Sequence, residues 1–346
     1  MKFKSIIAMT AAVAVALVPS LTLAQSKCDL WLQNEASDLE SDAPIHNTKS
    51  ATLSILTNNV YFLSPLIYPN WGQVTRAGLI SNSDYIKNHD VIILQECFHN
   101  TACDVIRSGL ASQYPYQTST VGRSNSKSEW DSTFGYYSNR ALGNGGVTIL
   151  SKWPIKQKHQ YIYKDGCGYD NNANKGFAYV ILDYKGTNIH VFGTHMQSDD
   201  PKCTSGLPAW YRRVALDQMR KYIVNRRIPV NELVIMAGDF NIKKDSPEFT
   251  GLLSRLSAAQ PTKYEGHPWT WDTLDNSIAK YNYPDTVKEP PQYIDYVFTQ
   301  AKHSAGVRSS VQTSLRVKSS PYVLDGCTYN DYSDHYPVIT KIHVDL

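Results

Sequence analysis

Apolar positions along this chain come in short alternating runs. Eight of them read as strands: 51–60 (ATLSILTNNV), 90–96 (DVIILQE), 145–151 (GGVTILS), 176–184 (GFAYVILDY), 187–195 (TNIHVFGTH), 232–239 (ELVIMAGD), 293–299 (YIDYVFT) and 337–344 (PVITKIHV). Each is rich in Val and Ile and is bounded by Gly, Asn, Asp or Pro. A helical period replaces the alternation over 208–225, where Trp210, Val214, Leu216, Met219, Tyr222 and Ile223 recur at helix spacing. Arg212, Arg213, Arg220, Lys221, Arg226 and Arg227 fall to a solvated face of that helix, and Pro208 suits its first turn. Further helices are expected over 73–88 and 247–256. Strands dominate, and helices are inserted rather than strictly alternating. The pattern therefore predicts an α/β (α+β) sandwich of two packed sheets, not a doubly wound parallel sheet. With no repeat, low-complexity tract or linker, the reading is a single domain over 51–346 behind a polar lead at 25–50.

The first 24 residues do not belong to that domain. Lys2 and Lys4, an apolar stretch from Ile6 to Val18, and small residues at Thr22 and Ala24 form the three-part pattern of a secretory signal peptide, cut after Ala24. The apolar stretch is short for a membrane span, which needs about 20 residues. Export changes how the six cysteines are read, because disulfides form in oxidising compartments. Cys28, Cys97, Cys103, Cys167, Cys203 and Cys327 show no CxxC spacing, and sequence alone leaves their pairing open. Without Lys2 and Lys4, 32 basic residues face 31 acidic ones, a net charge of +1. A protein that grips a nucleic-acid backbone carries a clear basic excess, so a nucleic-acid partner is not expected.

The candidate chemistry sits where the strands stop. Asn58 and Asn59 end the first run, Gln95 and Glu96 the second, His195 the fifth, and Asp239 with Asn241 the sixth. Asp295 lies in the seventh run, and Asp334-His335 precedes the last. Any one of these is an ordinary turn residue. Six strand ends of this kind suggest one site. Carboxylate and amide oxygens are hard ligands that suit Mg2+, Mn2+ or Ca2+ better than zinc. Histidines beside such an ion are placed for proton transfer. A hard cation, two histidines and an amide are the parts needed for phosphoester hydrolysis.

The set NNV, QE, GTH, GDFN, YIDYVF and SDHYP resembles the endonuclease/exonuclease/phosphatase superfamily, with its DNase I-like fold. The longer runs at 59–73, 84–98, 145–155, 166–177, 276–285 and 329–338 are similar to the bacterial neutral sphingomyelinases. That resemblance covers nearly all of 50–342. It implies a four-layered αββα sandwich and Mg2+-dependent hydrolysis of sphingomyelin to ceramide and phosphocholine, with Mn2+ or Co2+ as substitutes. By motif position it implies Glu96 as the central metal ligand with Asn59 beside it, His335 as general base, and Asp295 as its orienting partner. Asp334 would stand at the metal or the base, and His195 at the leaving-group side. Asp239 and Asn241 would hold the phosphate and the attacking water. The resemblance also implies a Cys167–Cys203 bridge, and Cys97–Cys103 and Cys28–Cys327 are the expectations for the rest. It implies an exported monomer working on a sphingomyelin-containing membrane surface, with no protein partner. A nuclease or inositol-phosphate phosphatase of the same fold, and a non-catalytic membrane-binding toxin, are the competing readings.

Two departures from the family pattern stand out. A long hairpin tipped with adjacent aromatics is replaced by SSPYVLDGCT at 319–328, which leaves Phe98 with His99, Trp269 and Trp271 as candidate membrane contacts. The family's additional metal at the cleft edge uses an Asn after the Glu motif and acidic residues ahead of GGV. Asn100 is retained as a ligand candidate, but Leu142, Gly143 and Asn144 supply no carboxylate.

Overall fold

A computed structural model describes residues 50–346 apart from Leu66, Asn70 and Ala305. The expected signal peptide, the polar lead before Ser50 and Cys28, with its expected bond to Cys327, lie outside the described residues. Alternation builds two mixed sheets. The first runs β11 (Lys263–Gly266), β13 (Val307–Ser314), β16 (Val338–Asp345), β1 (Ser50–Phe62), β2 (Val91–Cys97), β5 (Thr148–Ser151) and β3 (Tyr116–Gln117). The second runs β10 (Ala258–Ala259), β12 (Asp295–Gln300), β9 (Leu233–Asp239), β8 (Thr187–His195), β7 (Gly176–Tyr184), β6 (Ile155–Ile162) and β4 (Ser132–Gly135). Helices α1 (Gln73–Asn82) and α2 (Asn100–Gly109) cover the outer face of the first sheet through Ala77, Ile80, Ala102 and Ile106. Helices α3 (Leu207–Arg226) and α4 (Pro247–Leu256) cover the second through Met219, Tyr222, Phe249 and Leu252. The result is the expected four-layer sandwich.

The inner faces meet in one apolar layer. Leu53, Ile55, Val91, Ile93 and Ile149 pack against Val180, Ile189, Val191, Ile235 and Ala237. Each such side chain, fully buried, stabilises by about 1.5–3 kcal/mol. Side chains alternate across a strand. If 53 and 55 of β1 point inward, so does Asn59. By the same count His195, Asp239 and Asp295 point inward at the ends of β8, β9 and β12. Register aligns them, because His195 pairs with Asp239 and Asp239 with Asp295. Gly193 lets the sheets approach beside that row, since a Cβ there would lie 2.7 Å from Ile93 Cγ2.

Several expectations change. The first helix stops at Asn82 rather than 88. Asn82 Nδ2 and Ser83 Oγ donate to the Gly78 and Ile80 carbonyls at 2.8 and 2.7 Å, and such local bonds compete with helix continuation. Arg212 is no solvated residue. It is buried, and its guanidinium holds Asp199 at 2.7 Å and Glu248 at 2.7 Å, while Trp210 is turned to solvent. Cys167 and Cys203 form the expected disulfide. Cys97 and Cys103 do not. Both are buried free thiols hydrogen-bonded to each other, with Cys103 Sγ also 3.6 Å from Thr120 Oγ1. Cys327 is exposed and forms no disulfide among the described residues. The segment before Tyr329 is a hairpin of β14 (Tyr322–Leu324) and β15 (Cys327–Tyr329). Asp325 and Gly326 close it at φ 48° and 78°, the positive angles of a tight hairpin turn.

Candidate active site

Glu96 reaches the site by breaking the strand rule. Its neighbour Gln95 points inward to Thr57, so regular alternation would send Glu96 outward. Instead Glu96 takes φ 58°, and its Oε1 accepts from Asn59 Nδ2 at 3.0 Å. The same Asn59 nitrogen donates to Asp239 Oδ2 at 3.1 Å, so one amide bridges the two sheets. A non-glycine residue in the left-handed region is uncommon and is a pointer to function. Asn241, at φ 53°, is a second case. Its backbone N–H donates to Asp239 Oδ1 at 2.8 Å, and its amide donates to the Met196 carbonyl at 3.1 Å.

Two buried imidazoles flank Asp239. His195 Nε2 lies 3.6 Å and His335 Nε2 3.9 Å from Asp239 Oδ2, and His195 Nε2 is 3.8 Å from Glu96 Oε1. His335 Nδ1 is held by Asp295 Oδ2 at 2.8 Å. Asp239, Asp295 and His335 present ligand atoms within 4.8 Å of one another. The tight His335–Asp295 bond, however, is the arrangement of a base and its orienting carboxylate. Asp334 accepts from Ser333 Oγ at 3.3 Å.

Crowding of carboxylates sets the electrostatics. Burial, then the Asp334 charge, pushes Glu96 up to about 8. Burial, then Asp295, pushes Asp239 up to about 7. Burial also raises Asp334. Burial disfavours the charged form of His335, but Asp295 and Asp334 overcome it and lift its pKa well above the usual range. His195 goes the other way: burial, then the charges of Lys175 and His335, hold it well below the usual value. Two histidines driven apart are candidates for opposite proton roles.

Three buried atoms here have no hydrogen-bond partner: Glu96 Oε2, His195 Nδ1 and Asp295 Oδ1. A buried, unpartnered carboxylate oxygen amid further carboxylates fits a hard divalent cation. Glu96 and Asp334, with Asn59 beside them, could hold it. Asn100, expected as a ligand at the cleft edge, accepts at its Oδ1 from Asn144 at 3.0 Å. Phe98 lines the cleft with its ring 6.1 Å from that of His195, and His99 caps α2 by accepting from the Ala102 N–H. Trp269 is 38% exposed. Trp271 is buried at 7%, packed on Tyr283 and bridged to the His335 backbone, so it is not a surface anchor.

Sequence reasoning missed three residues. Lys175 is buried, and its ammonium bonds Asp170 at 2.9 Å, the Met196 carbonyl at 2.6 Å and His195 Nε2 at 3.3 Å. Asp170 also accepts from the Ser198 N–H at 2.8 Å. Arg76 is fully buried and donates to the carbonyls of Val60, Tyr61, Trp71 and Tyr332, tying the backbone after Asn59 to the 332–335 turn. The NKGF segment was a signal for Lys175, since a cation inside a predicted strand entry needs a partner. Arg76, in a helix, left none.

Known proteins are similar to this chain in sequence and fold. The endonuclease/exonuclease/phosphatase family matches residues 71–335. A sphingomyelinase C of Bacillus cereus is 43% identical over 318 residues, 88% of this chain and 93% of that protein. A phospholipase C of Staphylococcus aureus is 42% identical over 304 residues, covering 86% and 90%. Among solved structures, a mutant beta toxin from Staphylococcus aureus with bound magnesium ions superposes with a TM-score of 0.80 at 42% identity, covering 85% of this chain and all of that one. Sphingomyelinase C from Streptomyces griseocarneus gives 0.80 at 41%, covering 84% and 99%. The chain thus belongs to the endonuclease/exonuclease/phosphatase family of hydrolases, in its sphingomyelinase C branch.

Proposed function

We propose that the protein is an exported, Mg2+-dependent phosphodiesterase that hydrolyses sphingomyelin at a membrane surface to ceramide and phosphocholine. The observation that carries the reading is the facing pair: a base dyad, His335–Asp295 at 2.8 Å, opposite a buried Glu96 oxygen that has no partner. Asp295 fixes the imidazole so that Nε2 faces the cleft, where it accepts the proton of a water as that water attacks phosphorus. Asp239 and Asn241 orient the water and the phosphate from the strand end between the two histidines. His195 stands on the other side of Asp239, where it donates a hydrogen bond to the departing ceramide oxygen. Lys175 donates to His195 Nε2 at 3.3 Å, which leaves the ring proton on Nδ1 as the donor. A divalent ion at Glu96 would supply positive charge that polarises a phosphoryl oxygen and offsets the carboxylates that raise His335. Export is supported by the N-terminal sequence pattern, and the choice of sphingomyelin by the relatives.

The test is phosphocholine release from sphingomyelin in mixed micelles. Release should require Mg2+ and stop with chelator. His335→Ala should lower it by about 10²–10⁴-fold, the range for loss of a general base. Cleavage of DNA or inositol phosphates instead of sphingomyelin would refute the substrate.

A further inference from the structure

At the rim of the cleft, one side chain sits where a cation would. Asn144 is buried, and its Nδ2 lies 3.1 Å from the Cys97 carbonyl, 3.3 Å from the Phe98 carbonyl and 3.0 Å from Asn100 Oδ1. Its Oδ1 accepts from the Gly146 N–H at 2.8 Å. These partners fix the orientation of the amide. Main-chain carbonyls only accept, so the atom between them is the NH2 group, and the Gly146 N–H only donates, so it faces the oxygen. Two hydrogens thus serve three oxygens that converge from the turn following Glu96. Such a knot of oxygens is what a hard cation gathers. The residues around it add no carboxylate, so a second metal does not fit.

The knot closes on the strained residue. The Cys97 N–H donates to the Gly146 carbonyl at 2.9 Å. Gly146 has φ 74°, and a Cβ there would lie 3.1 Å from both the Glu96 Cα and the Glu96 nitrogen. The 144–146 strap therefore lies directly against the backbone of Glu96, and Asn144 ties the far side of the same turn. We propose that the Asn144 amide replaces an edge cation: it holds the Glu96–Asn100 turn in its left-handed entry, and the chain binds one resident divalent ion rather than two. Asn144 is a positioning residue, acting on Glu96 and Phe98 through the turn. The count rests on the reading that Glu96 holds an ion.

Counting ions tests this without any assay of activity. Mn2+ titration followed by electron paramagnetic resonance should give one bound ion per wild-type chain, none in Glu96→Gln, and still one in Asn100→Ala. Asn144→Asp puts carboxylate oxygens against three acceptors, a cluster that a divalent cation relieves more fully than a single proton. That variant should bind two Mn2+, and its Tm should rise with added Mn2+ even when combined with Glu96→Gln. Two ions on the wild type, falling to one in Asn100→Ala, would overturn the inference while leaving the Glu96 site standing. No ion on the wild type would overturn the Glu96 reading and the count with it. Should Asn144→Asp fail to fold, the wild-type and Asn100→Ala counts decide alone.

Discussion

Strand β8 carries two buried histidines, and they live in opposite worlds. His190 faces outward, toward α3. Its Nδ1 meets Tyr179 Oη at 2.7 Å and its Nε2 meets Glu232 at 2.5 Å, so both ring nitrogens are satisfied. His159, in the same outer layer, is held by Tyr222 Oη at 2.6 Å. His195, at the inward end of the strand, leaves Nδ1 without a partner and shares its surroundings with the unpartnered Glu96 Oε2 and Asp295 Oδ1. An unsatisfied buried group costs about 1–3 kcal/mol. One region of the molecule therefore spends polar groups on holding two layers together. The other tolerates frustration in order to receive a cation and a phosphate. Burial of a histidine says little by itself; what its nitrogens touch separates structure from chemistry.

The sharpest way to break that contrast is Glu96→Gln. Turnover should fall by about 10²–10³-fold, the scale for losing one preorganised charge-stabilising group. In the absence of metal, Tm should nonetheless rise, because Glu96, pushed up to about 8, must take up a proton on folding at neutral pH whereas a neutral amide needs none. Added Mg2+ raises the wild-type Tm by binding the native state alone; that rise should vanish in the variant. Thermal scans with Mg2+ and with chelator read both effects. A variant less stable than wild type in chelator would mean that Glu96 is satisfied as the other layer is.

His190→Ala should show the mirror image. It strands the buried Tyr179 hydroxyl and leaves Glu232 without its imidazole, at a cost of about 1–3 kcal/mol. Urea titration measures the loss. Turnover per folded molecule should stay at the wild-type level, since no group at the inward strand ends is touched. A drop in kcat would tie the two ends of β8 together and erase the distinction.

The same physics decides what a sequence reveals. Alternation of Val and Ile made β7 and β8 legible to their last residues, and by parity it carried Asn59, His195 and Asp239 to one face. Strand β13 escaped because its buried face is polar: Ser310, Gln312 and Ser314. Gln312 Oε1 accepts from the Val297 N–H at 2.8 Å and its Nε2 donates to Tyr293 at 2.9 Å. That burial is satisfied by distant partners that no local window contains. Arg212 was misplaced for the same reason, since its partners come from 13 and 36 positions away. The geometry of Glu96 was hidden too, because nothing in QECF announces a left-handed residue. The residue types of the candidate site could be read from strand ends, whereas their positioning by Arg76 and Asn144 could not.

The smallest expected effect sharpens the comparison by pH. Burial, then the Arg226 charge, lowers His159 to about 4, against an ordinary value near 6.5. Between those values the unfolded chain takes up a proton that the folded one refuses. Stability contributed by neutral His159 is therefore whole above about pH 6.5 and drains away as pH falls toward 4. His159→Phe removes that term and keeps an aromatic ring against Phe134 and Tyr179. Its Tm at neutral pH should be slightly lower, because Tyr222 loses its partner, but its decline from pH 7 to pH 4.5 should be shallower by a few degrees. Scans of the variant and the wild type across that range isolate the slope, because the carboxylates of the candidate site titrate alike in both. An unchanged slope would show that folded His159 takes up its proton over the same range as the unfolded chain, so that its burial carries no pH-dependent cost.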